Sequence, residues 1–503
     1  MFKGTFSGPA LTAVITAEIE RTERAVVEQL APYDTVVTPQ SWHRILQGVE
    51  ELINFLTEPL DDETLHDTIA TMPLATAVGP KRAWLEQAIR GLYDGGIETR
   101  MLEVLQLVLA FDGGCAASGM PLGLTTVAHA VGYLHTRRRR MVSLLYVMPQ
   151  LCQGTSKART TFDLVPFMTL IELSAGPLID LAQMRMLNHV FADFTVQSDG
   201  LRCGANRSAD LLDQGGLDPE RVSVLDMVEH GVVGAFPSGT NLDPRRLLSK
   251  AEVVHQIALI ETAYAEFDLA GTSFKPVSEL VLPLLRGPES HVVTAPAEPF
   301  LAAVDRLAAR WPGVNRSVFV HQSVDLSTAL NGHQPFVRIE DQLVTNVTLL
   351  TRFVNDWKNV VLGRKKRFQI RSGFLFEKKA SEVLEANGFM VARVRRIQRR
   401  EFDVVTTRNG VIHNFQCKNS VIGSRLIEGE PARYARYNNA VVTSHRRALA
   451  KERGREQLLK DELGLTEIRH YVVSRFPVLC DDPDIIPFAR LGAWAGRQRT
   501  LVE

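Results

Sequence analysis

At 503 residues, with 45% hydrophobic and 23% charged residues, the chain has the composition of a multidomain globular protein and not of a disordered or fibrous one. Five scattered cysteines (Cys115, Cys152, Cys203, Cys417 and Cys480) with no CxxC pair argue against a disulfide framework and a thiolate zinc site. The formal net charge of zero hides an asymmetry: residues 358–503 hold 29 Lys and Arg against 16 Asp and Glu, a net of +13, and residues 1–357 carry the opposite −13. A basic C-terminal part has the charge that a nucleic-acid-binding module needs, because neutralising phosphates drives such binding.

The first 345 residues read as mostly helical. Residues 11–31 form an amphipathic pattern, and 40–57 a stronger one, with Trp42, Ile45, Leu46, Val49, Leu52, Ile53 and Leu56 at helical spacing. Further helices are expected at 81–92 and 97–111. Residues 112–119 read as a flexible Gly-rich loop without the Gly-Lys-Ser/Thr ending of a phosphate loop. A helix over 121–150 carries Arg137, Arg138, Arg139 and Arg140, which in an acidic half should meet acids of the same domain. Helical patterns return at 160–190, 248–269 and 297–311, while the Gly-, Asp-, Ser- and Pro-rich stretch 195–245 reads as irregular. Residues 317–321 and 334–345 turn β-like, the latter as a hairpin around Glu340 and Asp341. Residues 346–362 return to helical spacing and lead to a basic hinge at Arg364, Lys365, Lys366 and Arg367. The N-terminus lacks a signal-peptide pattern, and no uncharged apolar run reaches the roughly 18 residues of a membrane span. The expected setting is cytoplasmic, without membrane association.

Residues 368–503 change character. A helical stripe over 373–387 ends at Asn387-Gly388, as helix C-termini do. Short β-rich runs follow at 389–394 and 402–407, then an Asn409-Gly410 hairpin turn, then a strand over 411–418. After a loop at 421–431 come a mostly helical stretch to about 463 and a strand at 468–475. The order is α-β-β-β-α-β, and a crossover helix before the last strand is what a parallel addition needs. Glu377 lies on the helix, Asp403 opens the second strand, and Gln416 and Lys418 end the third on one face with Cys417 opposite. An acid, an amide oxygen and a lysine at one sheet edge suit a hard divalent cation beside a water, and such ions cleave phosphodiesters.

This order of residues on these elements resembles the PD-(D/E)xK nuclease superfamily, and Gln416-Cys417-Lys418 is most similar to its Mrr-like QxK branch. The resemblance covers roughly residues 360–480, and it departs from the family at Phe402, where a proline often precedes the aspartate. It implies a restriction-endonuclease-like α/β domain over 368–503, with an αβββαβ core and a mixed sheet, behind a helical region (1–345) and a linker with the basic hinge (346–367). It implies Mg²⁺ or Mn²⁺ held by Asp403, the Gln416 side-chain oxygen, the Cys417 backbone carbonyl and Glu377, with Lys418 positioning or polarising the attacking water. The expected activity is metal-dependent cleavage of nucleic acid, DNA in the first place, in defence against foreign DNA. The alternatives are repair or recombination, and an inert nucleic-acid-binding fold governed by the N-terminal region. Arg364, Lys365, Lys366, Arg367, Arg395, Arg396, Arg399, Arg400, Arg433 and Arg436 are the expected nucleic-acid contacts. Cutting both strands of a duplex calls for two sites, hence a homodimer, and residues 1–345 are left to sense a ligand or bind a protein partner.

Overall fold

The computed structural model describes residues 2–57, 62–93, 96–200, 202–208, 247–287, 290, 292–330, 332–419, 431–475 and 478–500. Most of the irregular 195–245 stretch and nearly all of the 421–431 loop lie outside them. In chain order, β1 (Lys3–Ser7), α1 (Gly8–Leu30), α2 (Val37–Thr57), α3 (Ile97–Ala117), α4 (Val127–Leu151) and α5 (Gly176–Val190) are followed by β2 (Thr195–Asp199), β3 (Cys203–Ala205) and β4 (Val292–Pro296). Next come β5 (Val337–Ile339), β6 (Gln342–Asn346), α6 (Val347–Leu362), α7 (Lys366–Ala386), β7 (Met390–Val391), β8 (Arg396–Ile397), β9 (Arg400–Glu401), β10 (Val404–Arg408) and β11 (Val411–Lys418). The chain closes with α8 (Pro431–Arg453), α9 (Glu456–Leu463), β12 (Glu467–Ser474), β13 (Ile485–Pro487) and α10 (Phe488–Thr500).

These elements form two compact units that interleave along the chain. One takes Ile19–Asp180 and Pro219–Val361, the other Met1–Glu18, Leu181–Asp218 and Leu362–Glu503, each as far as it is described. The sequence reading divides the chain at a single hinge near 364. The backbone instead starts in the C-terminal unit and returns to it once, from Leu181, before entering it for good at Leu362.

The first unit is largely helical. The apolar stripe of α2 is buried at Trp42, Ile45, Leu46, Val49, Leu52 and Ile53, as its period predicts, and it packs on α3 and α4. Trp42 Nε1 donates to the Met141 carbonyl at 2.9 Å. Gly48 sets the α2–α3 distance: a Cβ there would lie 2.8 Å from the Arg100 carbonyl oxygen and 2.9 Å from a Val104 methyl. Gly48→Ala is therefore expected to destabilise this unit by about 1–3 kcal/mol, the usual cost of overpacking. A shift in urea midpoint checks it, and an unchanged midpoint would mean the helices part freely.

The arginine run on α4 meets acids of its own unit, as charge balance predicts. Arg137 pairs with Glu172 at 2.7 Å and Arg138 with Glu50 at 3.0 Å, while Arg139 Nε donates to the Leu330 carbonyl. Residues 112–117, expected as a loop, continue α3 instead, and the turn comes at Gly119 with φ +80°. Residues 316–319 are a short helix where a strand is expected, with only Val320 bridging to Phe336. The β5–β6 hairpin turns at Glu340 (φ +53°) as predicted, and β4 completes its sheet. The helical stretch Phe162–Val190 is long and apolar enough to match a membrane span in composition, and most of it is buried within the protein.

The second unit holds a five-stranded mixed sheet in the order β13-β12-β11-β10-β7. β11, β12 and β13 run parallel, whereas β10 is antiparallel to both β11 and β7. Alternation along the strands gives the sheet two cores. Val404, Phe415, Tyr471 and Val473 face Phe376, Ala380 and Leu384 of α7 and Leu491 and Ala495 of α10. Val405 and Ile412 face the other way, towards Leu459 of α9 and Phe402. Helix α7 begins at Lys366 and so absorbs part of the expected basic hinge. Residues 195–205, expected as irregular, contain β2 and β3, and β2 pairs with both β1 and β3 to form a separate three-stranded sheet.

Two buried histidines sit against the mixed sheet. His413 lies edge-on to Phe389 and stacked on Tyr471, at 5.1 and 6.0 Å between ring centres, and His445 Nε2 lies 3.2 Å from Ser474 Oγ. Burial holds both pKa values down at about 4; neighbouring arginines add to the effect at His413 and the Lys418 charge at His445. In the unfolded chain each titrates near 6.5, so the unfolded state takes up protons first. Stability is complete above about pH 6.5 and falls as pH drops towards 4, by about 3 kcal/mol for each histidine. A urea midpoint that declines over this range, and declines less in His413→Phe, is the expected outcome. A flat midpoint would contradict it.

Candidate functional site

The β10–β11 register places the site. Val404 pairs with Phe415, so the next position outward sets Asp403 opposite Gln416 on one face. The hairpin that fixes this register turns at Asn409 and Gly410 (φ +51° and +76°), the paired positive angles of a type I′ turn. Gln416 Nε2 and the Cys417 backbone N–H both donate to Asp403 Oδ2, the latter at 2.8 Å. The Cys417 side chain packs against the opposite core, the cluster that includes Val404 and Phe415, as alternation requires.

Glu377 and Lys418 belong to the same electrostatic group. Burial pushes the Glu377 carboxyl up to about 7, the Asp403 charge adds to it, and Arg395 and Lys418 pull against it. Burial also raises Asp403, against the Cys417 N–H, the Lys418 charge and the Gln416 amide. Two partly desolvated carboxyl groups that feel each other make a place where a bound cation would relieve repulsion. Among the described residues no cluster of three or more His, Cys, Asp and Glu forms a ready metal cage. The donors here are of another kind. Both described hydrogen bonds to Asp403 end on Oδ2, which leaves Oδ1 and the Gln416 carbonyl oxygen, with Glu377, as hard oxygen donors. That set fits Mg²⁺ or Mn²⁺, which take few protein oxygens and keep several waters.

The expected nucleic-acid contacts fall on three elements. Arg364 and Lys365 precede α7, and Lys366 and Arg367 occupy its first turn with no acid there. Positive charge at a helix N-terminus opposes the macrodipole, so helix stability does not account for this cluster. Arg395 precedes, and Arg396, Arg399 and Arg400 lie on, an exposed β8–β9 ribbon that the sequence reading missed. Its turn has positive φ at Gln398 and Arg399 (+45° and +63°). On this ribbon Arg396 is paired with Glu401. Arg433 and Arg436 are exposed on the first turns of α8.

No family model matches the chain, no curated protein matches it, and no solved structure matches its fold.

A supporting network also escaped the sequence reading. Asn414, two residues before Gln416 on the same face, donates to Glu452 Oε2 at 2.8 Å and lies 3.2 Å from His470 Nδ1. Glu452, 1% exposed, is paired with Arg455, whose guanidinium sits 4.4 Å over the Phe402 ring next to Asp403. The only hint in the sequence is the period-two run Asn414, Gln416, Lys418; the partners on α8, just before α9 and on β12 are distant in the chain.

Proposed function

We propose that the C-terminal unit is a metal-dependent nuclease of the PD-(D/E)xK kind that hydrolyses phosphodiester bonds of DNA, with defence against foreign DNA as its setting. The observation that carries this reading is the pairing of Asp403 with Gln416 and the Cys417 N–H across two strands, with Glu377 and Lys418 in the same field. An α-β-β-β-α-β order with the last connection parallel accompanies it.

When bound, a divalent cation supplies Lewis-acid stabilisation of phosphate oxygens and a water of lowered pKa. Asp403 Oδ1, the Gln416 amide oxygen and Glu377 would hold it. The Gln416 and Cys417 donors fix the Asp403 carboxylate, so it does not rotate away when substrate arrives. Lys418 places a positive charge beside the attacking water and the phosphorane oxygens, where negative charge builds. Burial and the Asp403 charge raise the Glu377 carboxyl, and a cation held there would draw it back to the carboxylate form that binds metal. The test is incubation of the full chain with plasmid and single-stranded DNA in Mg²⁺, Mn²⁺ or EDTA. Cleavage that EDTA stops supports the reading, and intact substrate under every metal condition contradicts it.

A further inference from the structure

The C-terminal unit also contains an open cleft of about 390 Å³ away from the Asp403 group. It is lined by Thr12 and Thr16 of α1, Arg185 and His189 of α5, and Arg433 and Arg436 of α8. All six belong to the same compact unit, and they come from three separate stretches of chain. Among the described residues no Asp or Glu lines the cleft, so every titratable group facing it is basic. Pro431 and Ala432, the first residues of α8, complete the wall, which turns the positive end of a 23-residue helix towards it.

The cleft has a definite position relative to β11. Ser474 is the register partner of Lys418, and His445 of α8 contacts Ser474. Further along, Glu452 of α8 contacts Asn414, four residues before Lys418. Helix α8 therefore runs antiparallel to β11, and its N-terminal turns project past the strand end that carries Gln416 and Lys418. At 1.5 Å per residue, Arg436 lies about 14 Å and Arg433 about 18 Å beyond the level of Lys418. For a strand stacked as in a double helix, with a rise of about 3.4 Å, that is about four to five nucleotide steps.

We infer that this cleft holds backbone phosphates of a nucleic-acid strand whose neighbouring segment reaches the Lys418 end of the sheet. This rests on the nuclease reading for the identity of the strand. Arginines suit it because their planar donor forks match phosphate oxygens. The interleaving of the chain acquires a role here: α1 and α5 supply half of a phosphate site that residues 362–503 alone would leave open.

The experiment is equilibrium binding of labelled single-stranded DNA to the full chain in EDTA, across a salt series. One oligonucleotide is shorter than about four steps and one is several times longer. Arg433→Ala/Arg436→Ala is expected to weaken the longer strand about tenfold and to lower the salt slope by about 2, one for each lost phosphate contact. The short strand should bind more weakly than the long one and respond less to the variant. His189→Ala, on a different segment, should weaken the long strand in the same direction. Arg433→Lys/Arg436→Lys, which keeps the charge, should retain most of the affinity, and matching thermal melts exclude a folding defect. Unchanged affinity and salt slope in the double alanine variant would overturn the inference. So would displacement of the strand by a nucleoside triphosphate at equal phosphate concentration, since the ligand would then be a free nucleotide. Because no metal is present, a failure to cleave DNA counts against the nuclease reading and leaves this result standing.

Discussion

Asp403→Asn is expected to slow phosphodiester cleavage by at least about a hundredfold, the effect of removing one strong electrostatic contact from a transition state. Asparagine keeps the shape of the side chain, and its oxygen still accepts from the Cys417 N–H and from Gln416. What it loses is the negative charge among the oxygen donors. Binding of DNA in EDTA should be unchanged or slightly tighter, because a carboxylate no longer faces the phosphates. Gln416→Glu is the useful companion. It puts a second acid directly opposite Asp403, so the apo protein should lose stability while Mg²⁺ restores it by mass action. Cleavage rates and Mg²⁺-dependent melting temperatures of the two variants check both expectations. Asp403→Asn cleaving as fast as wild type would place the activity elsewhere.

Glu452→Ala should destabilise the C-terminal unit by about 3–5 kcal/mol, the cost of breaking a buried ion pair and leaving one charge behind. Arg455 is largely buried and paired with Glu452, and Asn414 would lose its acceptor as well. The effect should reach the site, because Arg455 covers the Phe402 ring beside Asp403 and Asn414 lies two residues from Gln416. Arg455→Met/Glu452→Leu, which removes both charges and keeps the bulk, should recover most of the stability, as replaced buried pairs commonly do. Denaturant midpoints of the single and double variants measure this. A double variant no better than Glu452→Ala would mean that packing, not the ion pair, carries the effect.

Much of the second unit was legible because its signals are local. The 411–418 strand alternates, Asn409-Gly410 dictates the hairpin, and the hairpin sets Asp403 across from Gln416 without knowledge of anything else in the chain. The helical stripe that carries Glu377 was equally plain, although the start of α7 was not. Its first turn is Lys366-Arg367-Phe368, basic and without a side-chain cap, so it reads as a hinge. The β8–β9 ribbon was hidden because two-residue strands show no alternation, and its turn is Gln398-Arg399, not Asn-Gly. Long-range pairing was out of reach altogether. Nothing in residues 3–7 announces that they add to residues 195–199, or that Asn188 Nδ2 donates to the Gly8 carbonyl at 2.8 Å. The Asn414–Glu452–Arg455 network and the basic cleft depend on such pairings, so only the folded chain reveals them. Residues 112–117 failed for a different reason. Gly113 and Gly114 lower helix propensity, but a Cβ at either would meet nothing within 4 Å, so they extend α3 at an open position.

Cleavage of supercoiled plasmid and of single-stranded DNA, followed with Mg²⁺, Mn²⁺ and EDTA for wild type beside Lys418→Ala, tests the catalytic assignment most directly. The predicted result is metal-dependent cleavage by the wild type that EDTA stops and that Lys418→Ala lacks, with Lys418→Ala losing no more DNA affinity in EDTA than one phosphate contact supplies. Equal cleavage by the two proteins, or none by the wild type with either metal, would contradict it.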